Sequence, residues 1–536
     1  MHTAMVSMKI LLSCTVMFAA TSGLPKPDLP APSIPSQSNS VRLASARVDR
    51  EVLAQLRKLG IKPAAQCDDA TFLRRIYLDL TGTLPTVEAC RSFLADKDPA
   101  KRARQIDTLL ERREYADFMA MRWSDLLRIK SEFPINLWPN AAQAYYEWTW
   151  QGFRDNKPHD RFVRELLTAN GSNFRVAPVN FFRALQNKKP ETLAQGVALT
   201  FMGVRADKWP ASRLSDMARF FSRLHFKPSS EWKEEIVFFD PSLATGTGGQ
   251  AASTSFRLPD GKEIDVAPDQ DPREAFADWL LRSSNPWFSR SAVNRAWGWC
   301  FGRGIVQPVD DIRPDNPASH PKLLDLLAKE FSESHYDWKH LFRVILNSRV
   351  YQQVSQPASQ DSRSRDLFAC YPTRRLEAEV LVDAICRLTG TTETYTSMIP
   401  EPFTFIPEGT PAVRLPDGSI SNATLEMFGR PSRDTGYESE RNNAPTATQR
   451  LFLLNSSQVL RRLERGTLMR RVQNGKRGDL RKIVEELYLI LLSRHPTTEE
   501  LGIVFGIAKD KRLRGRTALI DLAWALLNTA EFQYHH

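Results

Sequence analysis

The sequence predicts a mainly α, multi-helical protein with a small β insert between two helical domains. Apolar residues recur at three- and four-residue spacing over most of the 536 residues. Hydrophobic residues make up 42% and charged residues 25%, the balance of a chain that buries a sizeable core. A glycine-containing, strand-like texture interrupts the helical pattern only around residues 226–270.

The elements follow in chain order. Lys9 precedes the apolar run Ile10 to Ala20 and the small residues Thr21 and Ser22, which predicts a signal peptide over 1–22 cleaved before Gly23. The run falls short of the roughly 20 apolar residues a bilayer span needs. A lipoprotein-type reading at Leu11-Leu12-Ser13-Cys14 leaves only about four apolar residues before the cysteine. No later segment reads as membrane-spanning, so the expectation is an exported chain of the periplasm or cell surface without a transmembrane segment in its mature form. Residues 23–45, with Pro25, Pro27, Pro30, Pro32 and Pro35, read as a Pro/Ser-rich linker.

A helical domain is expected over 46–225. Val52, Leu53, Leu56, then Phe72, Leu73, Ile76, Tyr77 and Leu80 mark helices. Gly82 is the natural left-handed stop, and Pro85 or Thr86 opens the next helix. Further helices are expected over 100–112, 115–130, 141–154, 160–167 and 191–202. In the 226–270 insert, Glu235 to Phe239 reads as a strand, and Pro259-Asp260-Gly261-Lys262 turns a hairpin between Phe256-Arg257-Leu258 and Glu263 to Val266. A second helical domain, 271–536, carries helices over 275–281, 289–300, 321–332, 339–346, 446–463, 480–492 and 516–530, with a loop-rich stretch at 395–445.

The net charge of +11 attracts anions, but the basic residues are spread along the chain, as a solubilising excess would be. Five cysteines follow the leader: Cys67, Cys90, Cys300, Cys370 and Cys386. They match no zinc or haem spacing, and buried free thiols are the default over a Cys67–Cys90 or Cys370–Cys386 bridge. The nine histidines do not group as metal ligands, so no metal or cofactor is expected. Export argues against a nucleic-acid partner.

Four polar clusters stand out. The densest runs from Asn294-Arg295 through Asp310-Asp311, Arg313 and Asn316 to His320. Asp310, Asp311 and His320 are the candidate catalytic set, because paired carboxylates beside a histidine suit acid–base work. Asn294, Arg295, Arg313 and Asn316 are candidate binding residues. The alternative for this cluster is structural: Asp310 or Asp311 pairs with Arg295 or Arg313, and Asn316 and His320 cap the next helix. The second cluster, Arg374 to Glu379, offers Arg375 and Glu377 as binding candidates, with Arg375 and Glu379 spaced as a helical i, i+4 pair. The third, in the long loop, offers Arg430, Glu440 and Arg441. The fourth, Arg74-Arg75 with Asp79 and Arg122 with Asp125, reads as charge pairing between helices. Trp138, Tyr145, Tyr146, Trp148 and Trp150 are of the type that stacks on sugars, although core packing explains most of them.

The stretch Phe72 to Gly82, with Arg122 to Asp125 and Asp160 to Glu165, resembles domain of unknown function 1549. Asn285-Pro286, Val293 to Trp297, Phe301 to Gly304, the Asp310–His320 loop, Arg374 to Glu379 and Phe428 to Pro431 resemble domain of unknown function 1553. The resemblance implies an exported protein of a type abundant in planctomycetes and associated with cytochrome c-like modules, its activity unassigned. Many such proteins carry Cys-x-x-Cys-His-x-His where this chain has Ala206-Asp207-Lys208-Trp209-Pro210, and cysteines where it has Gly436-Tyr437-Glu438-Ser439. Both departures point away from haem, metal or electron transfer. The functional expectation is a cofactor-free binding or scaffold protein of the cell envelope, its partner an anionic polysaccharide or another envelope protein. The alternative is a hydrolase or lyase acting on sulfated or uronic polysaccharide.

Overall fold

A computed structural model of the protein describes residues 39–244, 254–467, 479–508 and 516–536; the expected leader and most of the expected linker lie outside them. The fold is mainly α. Helices span Asn39–Lys58, Asp69–Thr81, Val87–Ala95, Lys101–Leu110, Arg113–Leu126, Pro139–Arg154 and His159–Thr168 in the first part. Phe288–Phe301, Pro321–Glu333, Trp338–Leu346, Ala378–Thr389, Leu480–Leu492 and Arg516–Leu527 are the main helices of the second.

Local chemistry sets the boundaries. Asp68 caps the Asp69–Thr81 helix by accepting from the Thr71 amide, and Gly82 closes it in the left-handed region at φ 60°. A Cβ at Gly82 would meet the Phe118 ring at 2.7 Å, so both conformation and space require glycine there. Thr86 accepts from the Ala89 amide and opens Val87–Ala95. Three expectations shift. The first described helix begins at Asn39, inside the stretch expected as linker to residue 45, because Val41, Ala44, Val48 and Val52 form one buried stripe. The helix expected over 191–202 is regular only to Val197 and continues as a π turn, Ala198–Met202. The helix expected over 446–463 is two, divided at Ser456, whose hydroxyl caps the second.

The β insert is present. Strands Leu224–Pro228 and Glu235–Phe239 pair antiparallel, and Gly171–Ser172 adds a third strand from the helical part. Thr254–Arg257 and Glu263–Val266 form the expected hairpin around Gly261. One further two-stranded ladder joins Arg374–Arg375 to Tyr534–His535. It corrects the second cluster: Arg375 sits on a strand before the Ala378–Thr389 helix, so it cannot form a helical pair with Glu379.

Two hydrophobic cores form, and neither follows the boundary at 226–270. The larger runs from Val41 to Tyr371 and includes Leu489. The smaller joins Leu78, Leu84, Phe118 and Met121 to residues between Leu376 and Phe532. Residues 37–536 accordingly form one compact unit. All five described cysteines are free and buried. Among the described residues, no helix is long and apolar enough to cross a membrane.

Candidate functional site

Where the two cores meet, helices and strands from both halves deliver charged groups to one buried seam. The Asp69–Thr81 helix presents Asp79, whose carboxylate pairs with Arg374 and accepts from the Tyr351 hydroxyl at 2.7 Å and the Tyr371 hydroxyl at 3.1 Å. The imidazole of His535 stands between two acids, with Nδ1 3.1 Å from Asp79 and Nε2 3.5 Å from Glu377. Arg122, from the Arg113–Leu126 helix, closes the chain on Glu377 at 2.9 Å. One turn further along that helix, Asp125 receives Arg433 at 2.9 Å and Arg441 at 2.7 Å, and Arg441 also reaches Glu379 at 2.7 Å. Burial alone would raise the acids; the cations outweigh it. Arg374 and His535 hold Asp79 below the usual carboxylate range, and His535 and Arg122 do the same for Glu377.

Beside this seam lies a cavity of about 310 Å³ lined by Arg122, Arg374, Glu377, Trp299, Asp310 and Glu438, among others. A second set of ion pairs, the rim, adjoins the cavity at Asp310. Arg205 pairs with Asp310 at 2.7 Å, and Asp311 receives Lys208 at 3.0 Å and Arg313 at 3.1 Å. Glu438 differs from the other acids. Its backbone amide donates to Asp310 at 3.1 Å and the Trp299 indole donates to its carboxylate at 2.9 Å, but no cation among the described residues lies in ion-pair range. Burial pushes its carboxyl up, against the pull of Arg295.

The structure places the sequence candidates as follows. Asp310, Glu377 and Arg441 line the cavity. Asp311 lies beyond its lining, committed to Lys208 and Arg313. His320 is separate, packed 5.5 Å from the Phe368 ring with Nδ1 beside the Ser319 hydroxyl, and burial depresses its pKa to about 4. It precedes the Pro321–Glu333 helix but makes no side-chain cap, and Asn316 donates to the Asp311 carbonyl at 2.9 Å instead of capping. Asn294 shapes the 304–309 loop through the Val306 and Val309 backbone. Arg295 does not pair with either aspartate; it donates to the Leu199 and Thr200 carbonyls.

Arg375 donates to the Phe428 carbonyl, Arg430 to the Asp417 and Ile420 carbonyls, and Glu440 accepts from the Asp434, Thr435 and Gly436 amides. These three brace the long loop. Arg74 and Arg75 likewise turn away from Asp79 to backbone carbonyls, Leu491 and Phe532 for the first, Tyr351, Gln353 and His536 for the second. Tyr145 and Tyr146 are core, and the Trp148 and Trp150 indoles donate to Glu165 and Asp117. Sequence reasoning missed His535 and Trp299. Trp299 follows Arg295 by four residues on one helix and was within reach of periodicity; nothing near His535 signals Asp79.

Comparison with known families agrees with this geometry. Residues 47–208 match the family described as PSCyt2, protein of unknown function DUF1549, and residues 272–506 match PSD1, protein of unknown function DUF1553. The chain is similar to the first family over its N-terminal part and to the second over its C-terminal part. No curated protein and no solved structure matches it. Ion pairs of seam and rim join the DUF1549 region to the DUF1553 region, among them Asp79 to Arg374, Arg122 to Glu377, Asp125 to Arg441, Arg205 to Asp310 and Lys208 to Asp311.

The cysteine–histidine segment of such families implies a haem or metal, and the residues present do not fit one. Ala206 to Pro210 supply neither thiol nor imidazole, and Lys208 is committed to Asp311. Arg205, the residue before the first departing segment, stands over the ring of Tyr437 in the second at 5.0 Å. No group of three or more His, Cys, Asp or Glu among the described residues could hold a metal ion.

Proposed function

We propose that the protein is an exported, cofactor-free binding protein of the cell envelope whose small polar ligand occupies the cavity between the DUF1549 and DUF1553 regions. The observation that carries this reading is the fate of the three catalytic candidates. Asp310 is neutralised by Arg205, Asp311 by Lys208 and Arg313, and His320 packs elsewhere, which leaves no carboxylate pair free for acid–base work. The cavity arginines are held rigid by their own counter-charges, the preorganisation that favours selective binding. The test is calorimetric titration of the full chain with a panel of neutral, uronic and sulfated oligosaccharides, repeated on Glu438→Gln. Saturable binding weakened by that substitution is expected; heat-free titrations across the panel would sink the reading.

A second reading, hydrolase or lyase action on anionic polysaccharide, draws its support from Glu438. A carboxyl raised by burial, open to a cavity and without a cation partner among the described residues, is what a general acid requires. Turnover of a bound glycan that Glu438→Gln abolishes while the melting temperature stays constant would favour catalysis over binding. Asp310→Asn and Asp311→Asn are expected to lower the melting temperature instead, as members of structural ion pairs.

A further inference from the structure

Away from the cavity, three loops bring aromatic side chains to one surface. The first enters the Pro139–Arg154 helix at Trp138, whose backbone sits at φ 73° and ψ 147°, a region that side-chain-bearing residues rarely occupy. The second joins strands Leu224–Pro228 and Glu235–Phe239 and carries Trp232, 70% exposed, and Lys233, also at positive φ. The third brings Phe403, whose ring lies 5.2 Å from that of Trp138. Lys233 stands between the indoles, its ammonium 5.4 Å from the Trp138 ring centre and 5.2 Å from that of Trp232.

The display is braced from below. Ser172 and Ser229 each donate to Glu234 at 2.5 Å, and the buried Asn173 amide donates to the Lys233 carbonyl at 3.2 Å. A solvent-facing tryptophan held on a rigid turn adds nothing to the core and exposes apolar surface to water, so folding does not explain it. Two strained positions at one aromatic cluster point the same way.

We infer that Trp138, Lys233 and Trp232 form a binding platform for an acidic polysaccharide, the indoles stacking on sugar rings and the ammonium taking a carboxylate or sulfate. A sugar ring presents an apolar C–H face that matches an indole, and the order aromatic, cation, aromatic matches a polymer that alternates ring faces with anions. A membrane surface is the poorer match, because Lys233 divides the aromatic surface. The platform goes beyond the cavity reading and does not depend on it.

The test is affinity electrophoresis of the full chain through gels containing alginate, dextran sulfate or neutral dextran, at about 0.15 M salt so that diffuse charge is screened. The wild type should be retarded by alginate, by dextran sulfate or by both, and not by dextran; the two acidic gels separate carboxylate from sulfate recognition. Trp232→Ala, which keeps every charge, should weaken the retardation at least about tenfold, the loss of a central aromatic contact. Lys233→Gln should weaken it comparably. Thermal melts of Trp232→Ala and Lys233→Gln should match the wild type. Retardation of Trp232→Ala equal to wild type would assign the effect to the overall positive charge and overturn the platform. Free passage of the wild type through all three gels would overturn it too, as would binding to anionic phospholipid vesicles with none to the polymers.

Discussion

The deep seam and the cavity rim use the same residue types and differ in their access to water. In the seam, the Asp79, Glu379 and Arg433 side chains are 1% exposed and Arg122 is 7% exposed. At the rim, Arg205 is 21% exposed, Lys208 40% and Arg313 34%, although their partners, Asp310 for the first and Asp311 for the other two, are themselves buried. A charge removed from the seam strands its partner in a medium that cannot solvate it, whereas a cation removed from the rim is replaced by water. The ion pairs joining the two family regions are therefore not equivalent: loss of a seam charge should cost far more stability than loss of a rim cation.

The largest expected effect tests the seam. Asp79→Ala should cost about 3–5 kcal/mol, read as a lower urea midpoint, because Arg374 is left buried without its counter-charge. A cost under about 1 kcal/mol would erase the distinction between seam and rim. The pH dependence has a definite sign. Asp79 and Glu377 have depressed folded-state pKa values, so their stabilisation is complete above the unfolded carboxylate range near about 4 and is lost as pH falls below it. Asp79→Ala should therefore show a shallower acid limb than the wild type in urea titrations from neutral pH downward.

His159 sharpens the comparison, since it is as buried as the seam but has no ion-pair partner among the described residues. It lies flat against Phe288, 5.2 Å away and 4° from parallel, and burial depresses its pKa to about 3, with Arg295 adding to the effect. A histidine that stays neutral when folded and protonates when unfolded destabilises the fold as pH drops from about 6.5. His159→Phe should thus gain about 2 kcal/mol on the wild type at pH 5, and that advantage should vanish at pH 8. An equal difference at both pH values would mean that packing, and not protonation, is responsible.

The smallest effect belongs to the rim. Lys208→Gln should change stability by no more than about 1 kcal/mol, and high salt should shrink the difference further. If Lys208→Gln instead matched Asp79→Ala in equilibrium unfolding, the rim would have to be counted with the seam.

Much of this fold was legible because its signals are local. Gly82 with Thr86, the apolar pattern of the Arg516–Leu527 helix, and the Asp260-Gly261 turn each act within a few residues, and each lies where the sequence places it. The site was less legible because its partners are remote. Arg375 and Glu379 have helical spacing, but a strand from the far end of the chain claims Arg375 and the long loop claims Glu379. Asp310 and Asp311 look like an acid pair in isolation; only the fold brings Arg205 and Lys208 to neutralise them. Length helped in one respect: the 395–445 stretch, too long for an idle connection, supplies Arg430, Arg433, Glu438 and Arg441 to the seam and cavity.

The ladder between Arg374–Arg375 and Tyr534–His535 bears on how the chain is made. Arg75 reaches the His536 carbonyl across 461 residues, and the imidazole beside Asp79 comes from the same short strand. The Asp69–Thr81 helix therefore acquires these neighbours only after residues 535 and 536 have been made. Trimming a handful of residues at 534–536 would be felt at Asp79, on the first side of the molecule to be translated.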